Sequence, residues 1–134
     1  MTASDAIRVL IADDFAIIRA GLTAAINHES DMHVCANARD GKEAVEMNRK
    51  HLPDVTVMDL RMPNMHGAAA LETIRAEYPL ACILVLTVSD EKAAIFRALS
   101  AGATGYLLKD APRAEIIAMI RDLYHSRKKH LFLK

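Results

Sequence analysis

The sequence predicts a doubly wound α/β domain built on an open, parallel five-stranded sheet. Five apolar runs alternate with five segments whose apolar residues recur at helical spacing. The apolar runs are nearly continuous, which is typical of strands buried on both faces, because a sheet with one solvated face shows polar alternation. An eight-stranded barrel needs about 250 residues, and this chain has 134. The sheet is therefore open, and we expect a single folded domain.

Each predicted strand is a short apolar run rich in β-branched residues or leucine. The run "MHVCANA" is a weaker candidate than the others, and "CILVLT" is the fourth strand. The predicted strands are 7–12, 32–38, 55–58, 82–87 and 104–109.

Each strand is followed by a predicted helix, and most of the helix ends carry a recognisable signal. Pro53 follows the second helix, Pro79 ends the third, Gly102 is a C-cap for the fourth, and Pro112 lies in the first turn of the fifth. The predicted helices are 15–26, 41–51, 68–78, 90–102 and 112–125. We expect the strand order of flavodoxin-like proteins, in which ligands bind beyond the carboxyl ends of the strands at the topological switch point.

Composition excludes several classes of function. Lys plus Arg and Asp plus Glu both number 17, so no net charge draws the chain to nucleic acid or to an acidic membrane. The longest apolar runs fall short of the roughly 20 residues that span a bilayer, and "MTASDAIRVL" lacks the pattern of a secretory signal. We therefore expect a cytoplasmic protein with no membrane partner. Cys35 and Cys82 lack metal-ligand spacing, and we expect two reduced, buried thiols.

Polar residues stand where four of the predicted strands end. Asp13 and Asp14 follow the first strand, Asp59 the third, Thr87 ends the fourth, and Lys109 ends the fifth. Each alone is compatible with a helix cap, a turn or a solvated charge. Together they place three carboxylates, a hydroxyl and an ammonium at one edge of an apolar sheet, which indicates a functional site.

The chemistry of this set points to phosphoryl transfer. Three adjacent carboxylates repel one another unless a cation lies between them, and Mg²⁺ prefers oxygen ligands that include one or two carboxylates and a phosphate oxygen. Asp59 can attack phosphorus as an oxygen nucleophile, with Lys109 stabilising the charge on the equatorial oxygens and Thr87 donating a hydrogen bond. Neither GxxxxGK[ST] nor GxGxxG occurs, which argues against a nucleotide site of either kind.

Four stretches resemble the motifs of receiver domains of two-component response regulators. They are "LIADD", "VMDLRMPNMHG", "LVLT" and "AGATGYLLKDAP", and the resemblance extends over roughly residues 8–125. Within that family, "DDFAIIRAGL" and "GATGYLLKDA" are most similar to regulators of the LuxR type (NarL/FixJ), whose receivers precede a helix-turn-helix domain.

The resemblance implies a role for each site residue. Asp59 is expected to accept a phosphoryl group from the phosphohistidine of a sensor histidine kinase. Mg²⁺, for which Mn²⁺ can substitute, is expected to bind Asp59, Asp14 directly and Asp13 through water. The implied remaining roles are a metal-ligating backbone carbonyl at Arg61, phosphoryl binding by Thr87 and Lys109, and an aromatic switch at Tyr106.

The resemblance also implies an organisation and an output. Residues 1–126 are expected to form the receiver, residues 127–134 to begin a linker or tail, and DNA to be bound only through an output domain absent from this chain. Phosphorylation is expected to change the association state, for example by forming a homodimer. The chain would then be a switch rather than a turnover enzyme: Asp59 is phosphorylated, and its phosphoryl group is slowly hydrolysed. This switch would control transcription.

Some positions depart from the family pattern. Val88 follows Thr87 where a small residue is frequent, and Asp110 follows Lys109 where many receivers have proline, so a cis peptide is not assumed there. Phe15 and His66 also differ from frequent family residues, and we expect neither to contact the reacting groups directly.

Two other classes of protein remain as alternatives. A Mg²⁺-dependent phosphohydrolase of the haloacid-dehalogenase type also has an aspartate at a strand end, but its DxDx[TV] motif needs a second aspartate where this chain has Arg61. A flavodoxin-like flavin carrier would need a hydroxyl- and glycine-rich loop where this chain has "DDFAIIRAG".

Overall fold

A computed structural model describes residues 5–88 and 92–132 of the chain, with only the backbone described for 128–132. The strands are β1 Ile7–Ala12, β2 Met32–Ala38, β3 Val55–Asp59, β4 Cys82–Thr87 and β5 Gly105–Leu108. The helices are α1 Ala16–Asn27, α2 Gly41–His51, α3 Gly67–Glu77, α4 Lys92–Ala101 and α5 Arg113–Phe132. Strands and helices alternate along the chain, as predicted.

The five strands form one parallel sheet with the order β2-β1-β3-β4-β5. The chain runs outward from β1 to the edge strand β2 and then returns to β3 on the other side of β1. The switch point therefore lies between β1 and β3, where ligands bind in sheets of this type. The predicted fold class and flavodoxin-like order are confirmed.

Alternating residues of the central strands enter two separate apolar cores. Val9 and Ile11 pack with α1 and α5 on one face, and Leu10 and Ala12 pack with α2, α3 and α4 on the other. Both faces are covered, which explains why the strands read as nearly continuous apolar runs. Each fully buried Leu or Ile stabilises the fold by about 1.5–3 kcal/mol through its transfer from water.

The end of α4 follows the predicted signal. Gly102 has a φ of 117°, a backbone conformation that glycine adopts without a steric penalty. Its N–H donates to the carbonyl of Leu99 at 3.1 Å, which satisfies one of the last carbonyls of the helix. The predicted start of α4 includes Asp90 and Glu91, which lie outside the described residues.

The fifth helix continues beyond its predicted end at His125, so the predicted boundary at residue 126 falls inside it. No Gly or Pro interrupts the segment, and nothing local stops the helix. Arg127 also lies over the Tyr124 ring at 5.7 Å and pairs with Asp54 at 3.6 Å. Of the predicted linker, residues 133–134 lie outside the described residues.

The two cysteines differ in burial. Cys82, on the inner strand β4, is buried and free, as expected. Cys35 is also free but only half-buried, so its predicted burial is wrong. It lies on β2, which is one of the two edge strands of the sheet, and most residues of β2 are incompletely covered.

None of the helices in the described part of the chain combines the length and apolar character needed to cross a bilayer.

Candidate functional site

The sheet brings the polar strand ends to one edge. Asp59 and Thr87 are the last residues of β3 and β4, and Asp13 and Lys109 directly follow β1 and β5. Backbone hydrogen bonds continue the sheet at this edge, since the N–H of Asp13 donates to Ala38 at 3.0 Å and that of Lys109 to Thr87 at 2.7 Å. Because all strands are parallel, their carboxyl ends meet here, beside the switch point.

Three carboxylates form a compact cluster at this edge. Asp13, Asp14 and Asp59 each present one carboxylate oxygen, and these atoms all lie within 4.8 Å of one another. The side chains of Asp13 and Asp59 are only 3% and 5% exposed, so water screens their charges weakly. The Oδ1 atom of Asp14 is buried and has no hydrogen-bond partner. A buried carboxylate oxygen without a partner costs free energy unless something else binds it.

Lys109 is the cation that contacts this cluster from within the chain. Its Nζ atom lies 3.0 Å from Asp13 Oδ2 and 3.0 Å from Asp59 Oδ2, and its side chain is 14% exposed. Burial by itself lowers the pKa of Lys109, but its hydrogen bonds to Asp59 and Asp13, together with their negative charges, outweigh burial and raise that pKa. Lys109 is therefore protonated at neutral pH.

Both carboxylate oxygens of Asp59 have hydrogen-bond donors. Oδ2 accepts from Lys109 at 3.0 Å, and Oδ1 accepts from the backbone N–H of Arg61 at 3.2 Å. Burial raises the pKa of Asp59, the Lys109 and Arg61 hydrogen bonds lower it, and the charge of Asp13 raises it again; the net pKa is raised. This carboxylate is thus oriented at both oxygens and largely removed from solvent.

The cluster fits a hard divalent cation. In their ionised forms, the three carboxylates and one ammonium leave two negative charges unbalanced. The donors are all oxygen atoms, which suits Mg²⁺, Mn²⁺ or Ca²⁺ rather than a thiolate-seeking metal. Asp14 Oδ1 is a buried oxygen without a hydrogen-bond partner, and Asp14 is a member of the cluster. The net negative charge, the oxygen donors and the unpartnered Asp14 Oδ1 all favour a divalent cation at this site.

Thr87 borders the cluster from the β4 side. Its side chain is buried, and with Val88, Leu108, Lys109 and Asp110 it lines an open cleft of about 490 Å³. The peptide between Lys109 and Asp110 is trans, since the described residues include no cis peptide bond.

Tyr106 lies apart from the carboxylates. It pairs with Val85 across β4 and β5, two positions before the pair formed by Thr87 and Leu108. It is half-buried against the α2–α4 core. The structure therefore brings the side chains of Asp13, Asp14, Asp59 and Lys109 together, and Thr87 lines a cleft with Lys109. It places Tyr106 on the strand beside Thr87.

Phe15 contacts two members of the site, contrary to expectation. Its ring centroid lies 5.4 Å from Lys109 Nζ, and its backbone N–H donates to Asp13 Oδ1 at 2.9 Å. Phe15 is the N-cap residue of α1, at the end of the short connection that begins at Asp13 after β1, so it lies close to the site. The one feature of the sequence that could have indicated this contact is the position of Phe15 directly after Asp13 and Asp14.

Arg19 was not recognised as part of this edge. Its guanidinium donates to the backbone carbonyl of Asp13 at 2.7 Å, across the first turn of α1. Sequence spacing alone does not reveal such a side chain–backbone contact. His66 immediately precedes α3, and the group of possible metal ligands at this edge consists of Asp13, Asp14 and Asp59.

Comparisons with known proteins identify the class of this fold and site. The family model described as "Response regulator receiver domain" matches residues 9–121. The chain belongs to this family of two-component response regulator receivers. Its membership excludes both alternatives, the haloacid-dehalogenase-type phosphohydrolase and the flavin carrier.

The relatives lie in the NarL/LuxR branch. The chain is 39% identical over 118 residues to the oxygen regulatory protein NreC of Staphylococcus epidermidis, covering 87% of this chain and 54% of that protein. The receiver domain of the putative response regulator NarL from Mycobacterium tuberculosis superposes with a TM-score of 0.86 at 37% identity, over 90% of this chain and 98% of that one.

A LuxR-family response regulator from Aurantimonas sp. SI85-9A1 also gives a TM-score of 0.86, at 34% identity, over 91% of this chain and 87% of that one. The chain spans about half the length of the curated relatives it matches.

Proposed function

We propose that Asp59 is the phosphoacceptor of this receiver and that a sensor histidine kinase supplies the phosphoryl group. The observation that carries this proposal is the position of Asp59. It is buried at the switch-point edge of the sheet, with an ammonium and two further carboxylates around it. Residues 1–126 are the proposed receiver.

In the proposed reaction, a carboxylate oxygen of Asp59 attacks the phosphorus atom of a phosphohistidine. The new P–O bond forms as the P–N bond breaks, and the imidazole nitrogen keeps the electron pair. The Lys109 ammonium, already 3.0 Å from Asp59 Oδ2, is placed to neutralise an oxygen of the transferred group. Hydrolysis reverses the modification, because water attacks phosphorus and the carboxylate leaves. The chain itself thus acts as a phosphorylation-regulated switch.

The proposed metal ligands are Asp14, Asp59, Asp13 through water, and the backbone carbonyl of Arg61. Bound Mg²⁺, or Mn²⁺ in its place, would supply positive charge that stabilises the transferring phosphoryl group. The direct role of Asp14 is supported by its unpartnered Oδ1. Asp13 has a hydrogen-bond donor at each oxygen, Phe15 at Oδ1 and Lys109 at Oδ2, and its indirect role is proposed from the family resemblance.

The proposed readout begins at Thr87. Moving a two-state equilibrium from 1:99 to 99:1 needs about 5.5 kcal/mol of differential binding. A hydrogen bond from Thr87 to a charged phosphoryl oxygen contributes about 1.5–3 kcal/mol. Lys109 and the backbone after Thr87 would have to contribute the rest. Movement of Thr87 would leave space for Tyr106, which is two register positions away on the neighbouring strand.

The proposed output is transcriptional, through a DNA-binding domain outside this chain. The similarity to the oxygen regulatory protein NreC, and to regulators of the NarL and LuxR types, supports this proposal. Phosphorylation would alter the surface formed by α4, β5 and α5, where Phe96 and Leu99 are exposed apolar side chains. That surface would then bind a second copy of the chain or release the output domain.

Intact-mass measurement tests the phosphoacceptor. Parent protein incubated with Mg²⁺ and acetyl phosphate should gain one phosphate, and the Asp59→Asn variant should gain none. Asp122→Asn, which changes an exposed aspartate on α5, is the matched control and should behave as the parent does. Phosphate on Asp59→Asn at the parent level would refute the assignment.

A further inference from the structure

We infer that a contact between Asp40 and Asn64 positions the loop that carries Arg61, and thereby sets the affinity of the site for a divalent cation. Neither residue belongs to the carboxylate cluster. The inference rests on the proposed function, since Arg61 is a proposed metal ligand.

The β3–α3 loop, residues 60–66, leaves directly from the phosphoacceptor. The N–H of Arg61 donates to Asp59 Oδ1 at 3.2 Å, and the loop closes where the N–H of Gly67 donates to the carbonyl of Leu60 at 3.0 Å. The loop is short, it contacts the site through Arg61, and its two ends are joined to each other, so we expect a displacement of its tip to change the position of the Arg61 peptide.

Asn64 forms the tip of this loop in an unusual backbone conformation. Its φ is 67°, in the left-handed region that L residues rarely adopt and that asparagine tolerates better than most. Its side-chain amide donates to Asp40 Oδ2 at 2.7 Å. The hydrogen bond therefore holds the tip in a conformation that the backbone alone disfavours.

Asp40 uses its two carboxylate oxygens for two different elements. Oδ1 accepts from the N–H of Glu43 at 2.8 Å and caps α2, while Oδ2 accepts from Asn64. The Glu43 bond, followed by the Asn64 bond, lowers the pKa of Asp40, so both bonds are made by the carboxylate form at neutral pH. One side chain thus joins the first turn of α2 to the loop.

Gly41 brings the two backbones into direct contact. A Cβ atom at this position would lie 2.0 Å from the carbonyl oxygen of Met65 and 2.7 Å from its carbonyl carbon. The loop therefore lies against the start of α2, and only glycine leaves room for it. Since Ala44 and Val45 anchor α2 in the core, the loop rests on a rigid support.

Metal affinity should be sensitive to this support. Mg²⁺ requires nearly ideal octahedral geometry, and residues that orient its ligands typically change metal affinity 10- to 100-fold. Asp40 and Asn64 do not bind the metal themselves. They affect the proposed ligand, the backbone carbonyl of Arg61, through the β3–α3 loop. We expect a loss of about tenfold when either is replaced, the lower end of that range.

The test uses two substitutions that each remove only this contact. Asp40→Ser keeps one oxygen to cap α2 but lacks the second oxygen for Asn64. Asn64→Gly removes the amide and keeps a residue that tolerates positive φ. Isothermal titration with MgCl₂ should show about tenfold weaker binding for each, and the double variant should be no weaker than either single one.

Glu77→Gln is the matched control. Glu77 accepts from Arg49 at 2.8 Å, which also joins α2 to α3 but at the opposite end of both helices. Its Mg²⁺ affinity should equal that of the parent. With acetyl phosphate, the Asp40 and Asn64 variants should need more Mg²⁺ for half-maximal phosphorylation yet reach the parental rate at saturation, a pattern that general destabilisation does not produce.

Three results would overturn the inference: unchanged affinity in both single variants, independent losses that multiply in the double variant, or an equal loss in Glu77→Gln. Asp14→Ala separates this inference from the proposed function. If Asp14→Ala binds Mg²⁺ as the parent does, the proposed metal site is wrong. If it loses Mg²⁺ while Asp40→Ser and Asn64→Gly keep it, the site stands and only the positioning role is wrong.

Discussion

Replacing Asp14 by asparagine should stabilise the metal-free protein and remove its response to Mg²⁺. Asparagine has nearly the same shape as aspartate but no charge, so the substitution relieves repulsion within the carboxylate cluster without creating a cavity. It also gives the buried Oδ1 position a neutral acceptor, which is less costly to leave without a partner than a carboxylate oxygen. The charge that destabilises the metal-free protein is the one that we propose binds the cation directly.

The magnitude follows from the separation of the carboxylates. Two unit charges 4.8 Å apart, the largest separation in the cluster, repel by about 0.9 kcal/mol in water and about 3.5 kcal/mol at an effective dielectric constant of 20. Asp14 has two such neighbours, Asp13 and Asp59, and Lys109 offsets part of their charge. We therefore expect Asp14→Asn to raise the free energy of unfolding by about 1–2 kcal/mol, with the midpoint of thermal unfolding rising by about 4 °C per kcal/mol.

Mg²⁺ should reverse the order of stability. A ligand at about 1,000 times its dissociation constant stabilises the folded state by about 4.1 kcal/mol. The parent should gain this amount, and Asp14→Asn should gain less than about 1 kcal/mol because its affinity is lower. The variant is then the more stable protein in EDTA and the less stable one in Mg²⁺.

Urea unfolding followed by circular dichroism measures both arms at constant ionic strength. Asp122→Asn makes the same change of charge at an exposed position of α5 and controls for net charge. An Asp14→Asn variant that is less stable than the parent in EDTA, or that gains as much from Mg²⁺, would refute the reasoning.

Three further outcomes are expected. Thr87→Ala should still be phosphorylated at Asp59 but should lose any change of association state on adding beryllofluoride, as measured by sedimentation. If parent and variant change association state alike, Thr87 is not the switch; if neither changes, the readout lies on another surface or in a partner absent from this chain. Asp31 is hydrogen-bonded by Arg121, which lowers the pKa of Asp31 below its ordinary 3.8. This ion pair is partly exposed to solvent and contributes about 1 kcal/mol of stability. The contribution is present above the ordinary pKa of 3.8 and is lost as pH falls through the lowered pKa. The stability difference between parent and Asp31→Asn should therefore shrink from about pH 6 to about pH 3, and a constant difference in urea unfolding would contradict it. Leu71→Ala removes a fully buried side chain between α3 and the sheet and should cost about 2–5 kcal/mol in the same assay; a loss below about 1 kcal/mol would show that the α2–α4 core repacks around the gap.

The alternation of strands and helices could be predicted from local pattern. Apolar continuity marks a strand covered on both faces, and helical periodicity marks each crossover, so a short window of residues is enough to recognise each one. Gly102 ended α4 as predicted because its signal is local. The end of α5 was placed too early because its basic tail carries no local stop signal, and a tertiary contact between Arg127 and Asp54 extends its packing.

The members of the site were recognisable for a topological reason. Asp13, Asp59 and Lys109 are far apart in the chain, yet each follows or ends a parallel strand, and parallel strands present their carboxyl ends at one edge. Once the sheet is parallel, residues at equivalent ends must converge. The sequence alone is therefore enough to predict which residues form the site and at which edge of the sheet they lie.

Tertiary structure decided the contacts that depend on loop paths and side-chain directions. The Phe15 ring beside Lys109, the unpartnered Oδ1 of Asp14, and the bond from Asn64 to Asp40 have no periodic signature in the chain. A hydrogen bond forms or fails within a few tenths of an ångström, whereas sequence pattern locates a residue only to a face or an end of an element. The sequence by itself determined which chemical groups meet at the edge of the sheet, and the folded loops determined which atoms remain available to a cation and how firmly they are held.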